Sequence, residues 1–234
     1  MPANDERQEQ ILTAAAAVIV RLGYDKTTMS DIAVEAGVSR GTVYLYFKGK
    51  EELFEALVYR EWMQYGQNWL EYIEGDPRSG TVGGIYRGIF RAINSRPLLA
   101  SLMRRDRRVI GNYLRKLDNL FAWMQSGSIN ADFIRALQTA GTVRHDVDPV
   151  MIAHIIDMLS YGYLTLEDFK PPDSFPPDEM VLETIADMMD RLLMPEDGGN
   201  SEAGKAVIRQ IAVAAMTQLE QIKEAKDKKQ RGEH

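Results

Sequence analysis

Between Ser39 and Lys50 the chain sets out Arg40, Thr42, Tyr44, Tyr46, Lys48 and Lys50, three basic residues with no acid among them. A planar guanidinium pairs in bidentate fashion with phosphate or with the O6 and N7 edge of guanine. Hydroxyls and phenols reach phosphate oxygens and sugars, and an ammonium meets phosphate as a point charge. Together these groups suit a grip on nucleic acid. The positive charge is local, because the first sixty residues carry seven Lys and Arg against nine Asp and Glu. General attraction to a polyanion is therefore not the argument, and a defined element must hold these side chains in place.

That element is legible from residue 28 onward. Thr28 followed by Asp31 predicts an N-cap with an acid three residues on, ahead of Ile32, Ala33 and Ala36. Ala33 is small enough to let a second helix cross closely, and Gly37 falls where the first must end, in the left-handed conformation that glycine accepts. Val38 is expected to bury under the turn. Ser39 caps a short second helix, Arg40 to Phe47, whose Val43 and Phe47 face the core and leave Arg40, Thr42, Tyr44 and Tyr46 on its other faces. A preceding helix is predicted from Ile11, Ala15, Val18 and Leu22, widened by Leu12 and Ile19, with Asp5 and Gln8 as a capping box.

The ordered string T-x-x-x-I-A-x-x-A-G-V-S-x-G-T-V-Y-x-Y-F-x-x-K-E-E-L resembles the TetR family of bacterial transcriptional regulators, over residues 7 to 57. The resemblance implies an all-α fold: a three-helix, helix-turn-helix DNA-binding domain over residues 1–50, then a larger effector-binding and dimerisation domain over residues 51–234. It implies that Thr28 caps a helix at a phosphate, and that Ser39, Arg40, Gly41 and Thr42 begin the helix that enters the major groove. Arg40 would then contact a base, Gly41 would let the backbone approach, and Tyr44, Tyr46 and Lys50 would reach the DNA backbone. Lys48 departs from the small or polar residue usual there and adds one more phosphate contact. The partners implied are a second copy of the chain, a roughly palindromic double-stranded operator, and a small effector that releases a dimeric repressor. An architectural or division-control DNA-binding protein without effector would present the same head and stays open, as does an adaptor acting through the carboxyl-terminal stretch.

At 234 residues the chain is long enough for one small and one larger domain. It has no cysteine, so a disulfide framework, thiolate metal site and cysteine nucleophile are excluded. The polar, acidic start does not read as a signal sequence, and no apolar run is long enough to span a membrane, so a soluble, cytoplasmic protein is expected. The net charge of −6 argues against a general nucleic-acid coat protein. Nothing arranges Ser, His and Asp as a catalytic triad. Gly83-Gly84 lacks the lysine and strand of a phosphate loop, and Glu51-Glu52 fits a helix start, so no enzyme activity and no cofactor are expected.

Beyond residue 50, helices are expected over Glu51–Glu74, Thr81–Ser95, Leu98–Arg104, Arg107–Thr139, Val150–Leu166 and Asp178–Met194. The string QTAGTVRHDVDPVMIAHII also resembles the family, in which the last two of these helices pair across a dyad. An amphipathic stretch from Ser201 to Lys229 extends past the family's usual end, with Ile208, Ala212, Ala215, Leu219 and Ile222 at heptad spacing, and is expected to dock on the chain's own body. Trp62, Tyr65, Trp69, Tyr86, Phe90, Tyr113, Phe121 and Trp123, with Met63, Met103 and Met124, are candidates for an apolar effector pocket, against the plainer reading as core. The run Arg104–Arg108, with Arg115 and Lys116, reads as a salt-bridged junction, with an anionic ligand such as an acyl thioester of coenzyme A as the alternative. Of the histidines, His145, His154 and His234, only His154 has a suggestive neighbour, Asp157. A contact across a dimer interface is expected there, and no metal.

Overall fold

The computed structural model describes residues 3–116, 130–166, 171 and 174–231. Among these, regular structure is helical: α1 (Ala3–Leu22), α2 (Met29–Glu35), α3 (Arg40–Tyr46), α4 (Lys50–Gly75), α5 (Val82–Asn94), α6 (Pro97–Met103), α7 (Arg107–Ile110), a 3-10 turn (Gly111–Lys116), α8 (Ala131–Thr139), α9 (Pro149–Thr165), α10 (Asp178–Leu193) and α11 (Ser201–Arg231). Two compact units are formed, one from Met1–Gln64 with Arg96–Phe121, the other from Tyr65–Ser95 with Ala122–His234. Helix α4 contributes residues to both.

In the first unit α1 buries Ile11, Leu12, Ala15, Val18 and Ile19 as one stripe, and packs on α2, α6 and α7. It starts at Ala3, so Asp5 and Gln8 lie inside the helix instead of capping it. Its acidic first turn still faces the positive end of the helix dipole. Arg60 on α4 donates to Thr13 of α1 at 2.9 Å and to Glu61 at 2.9 Å, while Arg96 grips Glu61 with two bonds of 2.9 Å. Arg60 and Glu61 are buried and Arg96 is half-buried, so the two buried charges depend on their partners for the solvation they have lost.

The expected helix from Arg107 to Thr139 does not form as one piece. Gly111, at φ +57°, ends α7 after one turn, and the Asn130 side chain accepts from Phe133 N to start α8 afresh. Phe121, Trp123, Met124 and His234 lie outside the described residues, as do the side chains of Arg115 and Lys116.

In the second unit α5 lies against α10, with Gly83 so close that a Cβ there would sit 2.2 Å from the Ala186 carbonyl oxygen. Asp190 of α10 accepts from Gly83 N at 2.8 Å, and the buried Arg87 faces Asp76 at 3.2 Å and Glu183 at 3.0 Å. Helix α11 docks on its own chain. Ile208, Ala212 and Leu219 are buried, Arg209 bridges to Glu74 at 2.6 Å, and Ser201 Oγ donates to the Pro77 carbonyl at 2.7 Å. The seam runs out at Ile222, which is exposed. The closest approach is at Gly80, where a Cβ would stand 1.8 Å from the Ser201 carbonyl oxygen. Overpacking of this kind costs about 1–3 kcal/mol. Gly80→Ala should therefore lower the urea midpoint of the protein; an unchanged midpoint would mean that α11 is not seated on this turn.

Candidate nucleic-acid interface

The site is built by two caps and one turn. Thr28 Oγ1 accepts from Asp31 N at 3.2 Å and donates to Asp31 Oδ2 at 2.7 Å, and that carboxylate accepts from Thr28 N at 2.9 Å. The capping box read from the sequence is thus formed. These bonds from Thr28 hold the Asp31 carboxyl below its usual range. Gly37 turns the chain at φ +64°, and Val38 N donates to Ala33 O at 3.0 Å. Val38 itself is half-buried, because it sits at the rim of the turn and not beneath it. Ser39 Oγ accepts from Thr42 N at 3.0 Å and pairs with the Thr42 hydroxyl at 2.8 Å, which starts α3.

Val43 and Phe47 are buried and fix the inner side of α3. On the outer side Arg40 and Tyr44 form a unit. The guanidinium carbon stands 5.4 Å from the Tyr44 ring centroid, and Nη2 reaches the phenol oxygen at 3.4 Å. The ring thus restricts the arginine and presents its fork already partly ordered. Gly41 and Lys48 are exposed and Tyr46 is half-buried. The hydroxyls of Thr28, Ser39 and Thr42 serve the caps.

Lys50 lies elsewhere than an open surface. Its ammonium donates to the carbonyls of Tyr24 at 2.8 Å and Asp25 at 3.3 Å, and stands 4.4 Å from the Tyr24 ring centroid. The same ring packs on Phe54 and Tyr113, with centroids 4.7 and 5.2 Å away. Burial, followed by the Glu55 carboxylate to which its hydroxyl donates at 3.1 Å, pushes the Tyr113 phenol up. Lys50 is therefore a clamp between the start of α4 and the loop after α1. The sequence missed this role, because the carbonyls that receive it are set by folding and not by residue type.

The effector candidates are dispersed. Trp62 and Tyr113 fall in the first unit, while Tyr65, Trp69, Tyr86 and Phe90 fall in the second. Tyr65 stacks on Trp69, and Tyr86 packs on Phe90, which meets Tyr163. Burial pushes the Tyr86 phenol up to about 12. An open cleft of about 570 Å³ is lined by Pro77, Gly141, Asp197, Asn200 and Glu202 among others, and by none of those aromatics. At the arginine run, Asp106 caps α7 and accepts from Arg108 at 2.9 and 3.1 Å, which holds its carboxyl down. His154 and Asp157 are both exposed on α9.

Residues 11–57 match the model of the bacterial regulatory proteins of the tetR family. This head is similar to that of the TetR family. An uncharacterized HTH-type transcriptional regulator of Bacillus subtilis is 50% identical over 55 residues, which is 24% of this chain and 27% of that protein. The fatty acid metabolism regulator protein of the same organism is 42% identical over 65 residues, 28% of this chain and 34% of its own length. The chain thus spans about a third or less of these curated relatives. The fold likeness reaches further. The crystal structure of the regulator FadR from Bacillus subtilis in complex with stearoyl-CoA aligns with 77% of this chain and 96% of its own, at 22% identity and a TM-score of 0.57. Among the described residues no helix is long and apolar enough to cross a membrane.

Two outcomes follow from this geometry. Lys50→Met should destabilise the isolated protein by about 1.5–3 kcal/mol in chemical denaturation, the range for a charged hydrogen bond; no loss would remove the clamp. Because the Asp31 carboxyl is lowered, its cap is intact above the ordinary carboxyl range and opens as pH falls through the lowered value. The Thr28 amide resonance should accordingly titrate with a midpoint below the ordinary 3.8. A midpoint at or above that value would contradict the capping box.

Proposed function

We propose that the protein is a sequence-specific DNA-binding transcriptional regulator, acting as a dimeric repressor that a small, largely apolar effector releases from its operator. The observation that carries this is the capped α2–α3 pair with Arg40 and Tyr44 prearranged on the side of α3 opposite its buried residues. In this reading Arg40 contacts a base edge. Gly41, Tyr44, Tyr46 and Lys48 meet the DNA at or near its backbone, with Thr28, Ser39 and Thr42 holding the helix starts that face it. Lys50 acts mainly through the clamp on Tyr24 and Asp25, and contributes its charge to the phosphates nearby.

Dimerisation is supported by α9 and α10. Met151, Ile155 and Met158 on α9 and Met180, Met188 and Leu192 on α10 are all exposed, an amount of uncovered apolar surface that a monomer rarely carries. A two-fold arrangement pairing these faces would present two copies of α3 to a roughly palindromic site. The effector is assigned to the second unit, with Trp69, Tyr86 and Phe90 as its apolar wall. The Trp69 indole N–H is buried there without an acceptor among the described residues, an unmet donor that a polar atom of an effector would satisfy. A fold relative crystallised with stearoyl-CoA is in keeping with an apolar ligand. Release requires an effector with different affinity for the DNA-binding and non-binding conformations; about 1–3 kcal/mol of coupling shifts operator affinity roughly 5- to 150-fold.

Arg40→Ala should cost about 1–3 kcal/mol on the preferred duplex and relax preference at one position of each half-site. Equal weakening on every sequence would make Arg40 a backbone contact. Met158→Glu should give monomers in sedimentation and lose preference for palindromic over single half-sites. A dimer unaffected by that change would place the interface elsewhere.

A further inference from the structure

Helix α3 has a pole that neither its caps nor its core use. At 3.6 residues per turn, the residues lying about 160° from the buried Val43 are Gly41 and Leu45, one turn apart. Leu45 is 85% exposed, the highest value among the exposed large apolar side chains of the described residues. It is flanked on one side by the Arg40–Tyr44 pair and on the other by Tyr46. An exposed leucine elsewhere on a surface is ordinary. Here it occupies the middle of the surface that would descend into a groove.

Gly41 supplies the second observation. Among the described residues a Cβ at this position would meet only Ser39 Oγ, at an unstrained 3.6 Å, and the residue sits in the first turn of the helix. Nothing among the described residues calls for glycine there, and glycine in a helix is less favourable than alanine. The absence of a side chain therefore answers to something outside the chain that approaches the backbone closely. One turn later, the first side chain to meet that surface is Leu45.

We infer that Leu45 reads the C5-methyl group of a thymine in the major groove, with Gly41 letting α3 sit deep enough for the contact. The methyl is the one apolar feature that a base pair shows in that groove. Leucine has no donor or acceptor, so it gains nothing from guanine, adenine or cytosine edges and favours thymine over cytosine at one position of each half-site. Leu45 is a specificity-determining residue beside Arg40, reading by apolar contact where Arg40 reads by hydrogen bonds. This inference rests on the DNA-binding reading above.

The test uses the full chain and duplexes that it enriches from a random-sequence pool. Each thymidine is replaced in turn by deoxyuridine, which removes only the methyl group, and affinity is read by fluorescence anisotropy. In the wild type one position per half-site should lose roughly fourfold, the value of one buried methyl group. Leu45→Ala should bind the thymidine and deoxyuridine forms of that duplex alike, with its circular dichroism unchanged because the side chain is exposed. Gly41→Ala should weaken every enriched duplex without lowering the thermal unfolding midpoint, which the better helix former would hold or raise. A deoxyuridine penalty that persists in Leu45→Ala, or that appears at no position, overturns the inference and leaves DNA binding standing. If the pool yields no enriched sequence, the DNA-binding reading fails and this inference with it.

Discussion

A seven-residue helix does not hold itself together in water, and α3 is such a helix. Its stability is supplied from one side by the burial of Val43 and Phe47, each worth about 1.5–3 kcal/mol, and from its start by the Ser39 cap. That one-sided support is also what makes the helix useful. Every side chain not needed to hold α3 in place is free to face outward, and Arg40, Tyr44 and Leu45 are on that outward arc. Shape and function are thus set by the same constraint, because a longer, self-sufficient helix would not need the turn at Gly37 that fixes its angle.

What holds α3 must itself be held. The Tyr24 ring lies between the Lys50 ammonium and the rings of Phe54 and Tyr113, so the loop after α1, the start of α4 and the turn after α7 meet at one place. Tyr24 N also donates to the Val109 carbonyl at 2.7 Å. Residues 96–116 therefore belong with the TetR-type head by packing, although they are separated from it in sequence by a long segment. The Arg60–Glu61–Arg96 chain of ion pairs, centred on the buried Glu61, also ties α4 to the start of α6. Removing one partner there would leave a buried charge uncompensated, which is far costlier than never having built the pair.

The sequence was most legible where structure is decided locally. The Thr28–Asp31 and Ser39 caps, the Gly37 turn, the buried Val43 and Phe47, and the proline start of α9 all follow from residue type and spacing within one or two turns. Legibility failed where a distant segment decides. Gly111 reads as a passable helix residue until its positive φ is seen to end α7. Gly80 reads as a turn glycine, yet its lack of a side chain is required by Ser201, at the start of a helix far along the chain. The charge of Lys50 is visible in the sequence, while the two carbonyls that its ammonium meets are not. The position of Leu45 opposite the buried Val43 is legible on a helical wheel, because both follow from spacing within α3.

The central claim is that the outward arc of α3 reads particular DNA sequences. Genome-wide mapping of bound DNA, for the wild type beside Tyr44→Ala, tests it most directly. A sequence-reading α3 predicts a small set of roughly palindromic sites that the substitution abolishes. Broad occupancy without a shared motif, or a set of sites that the substitution leaves unchanged, would contradict it and would favour an architectural protein that binds through another surface.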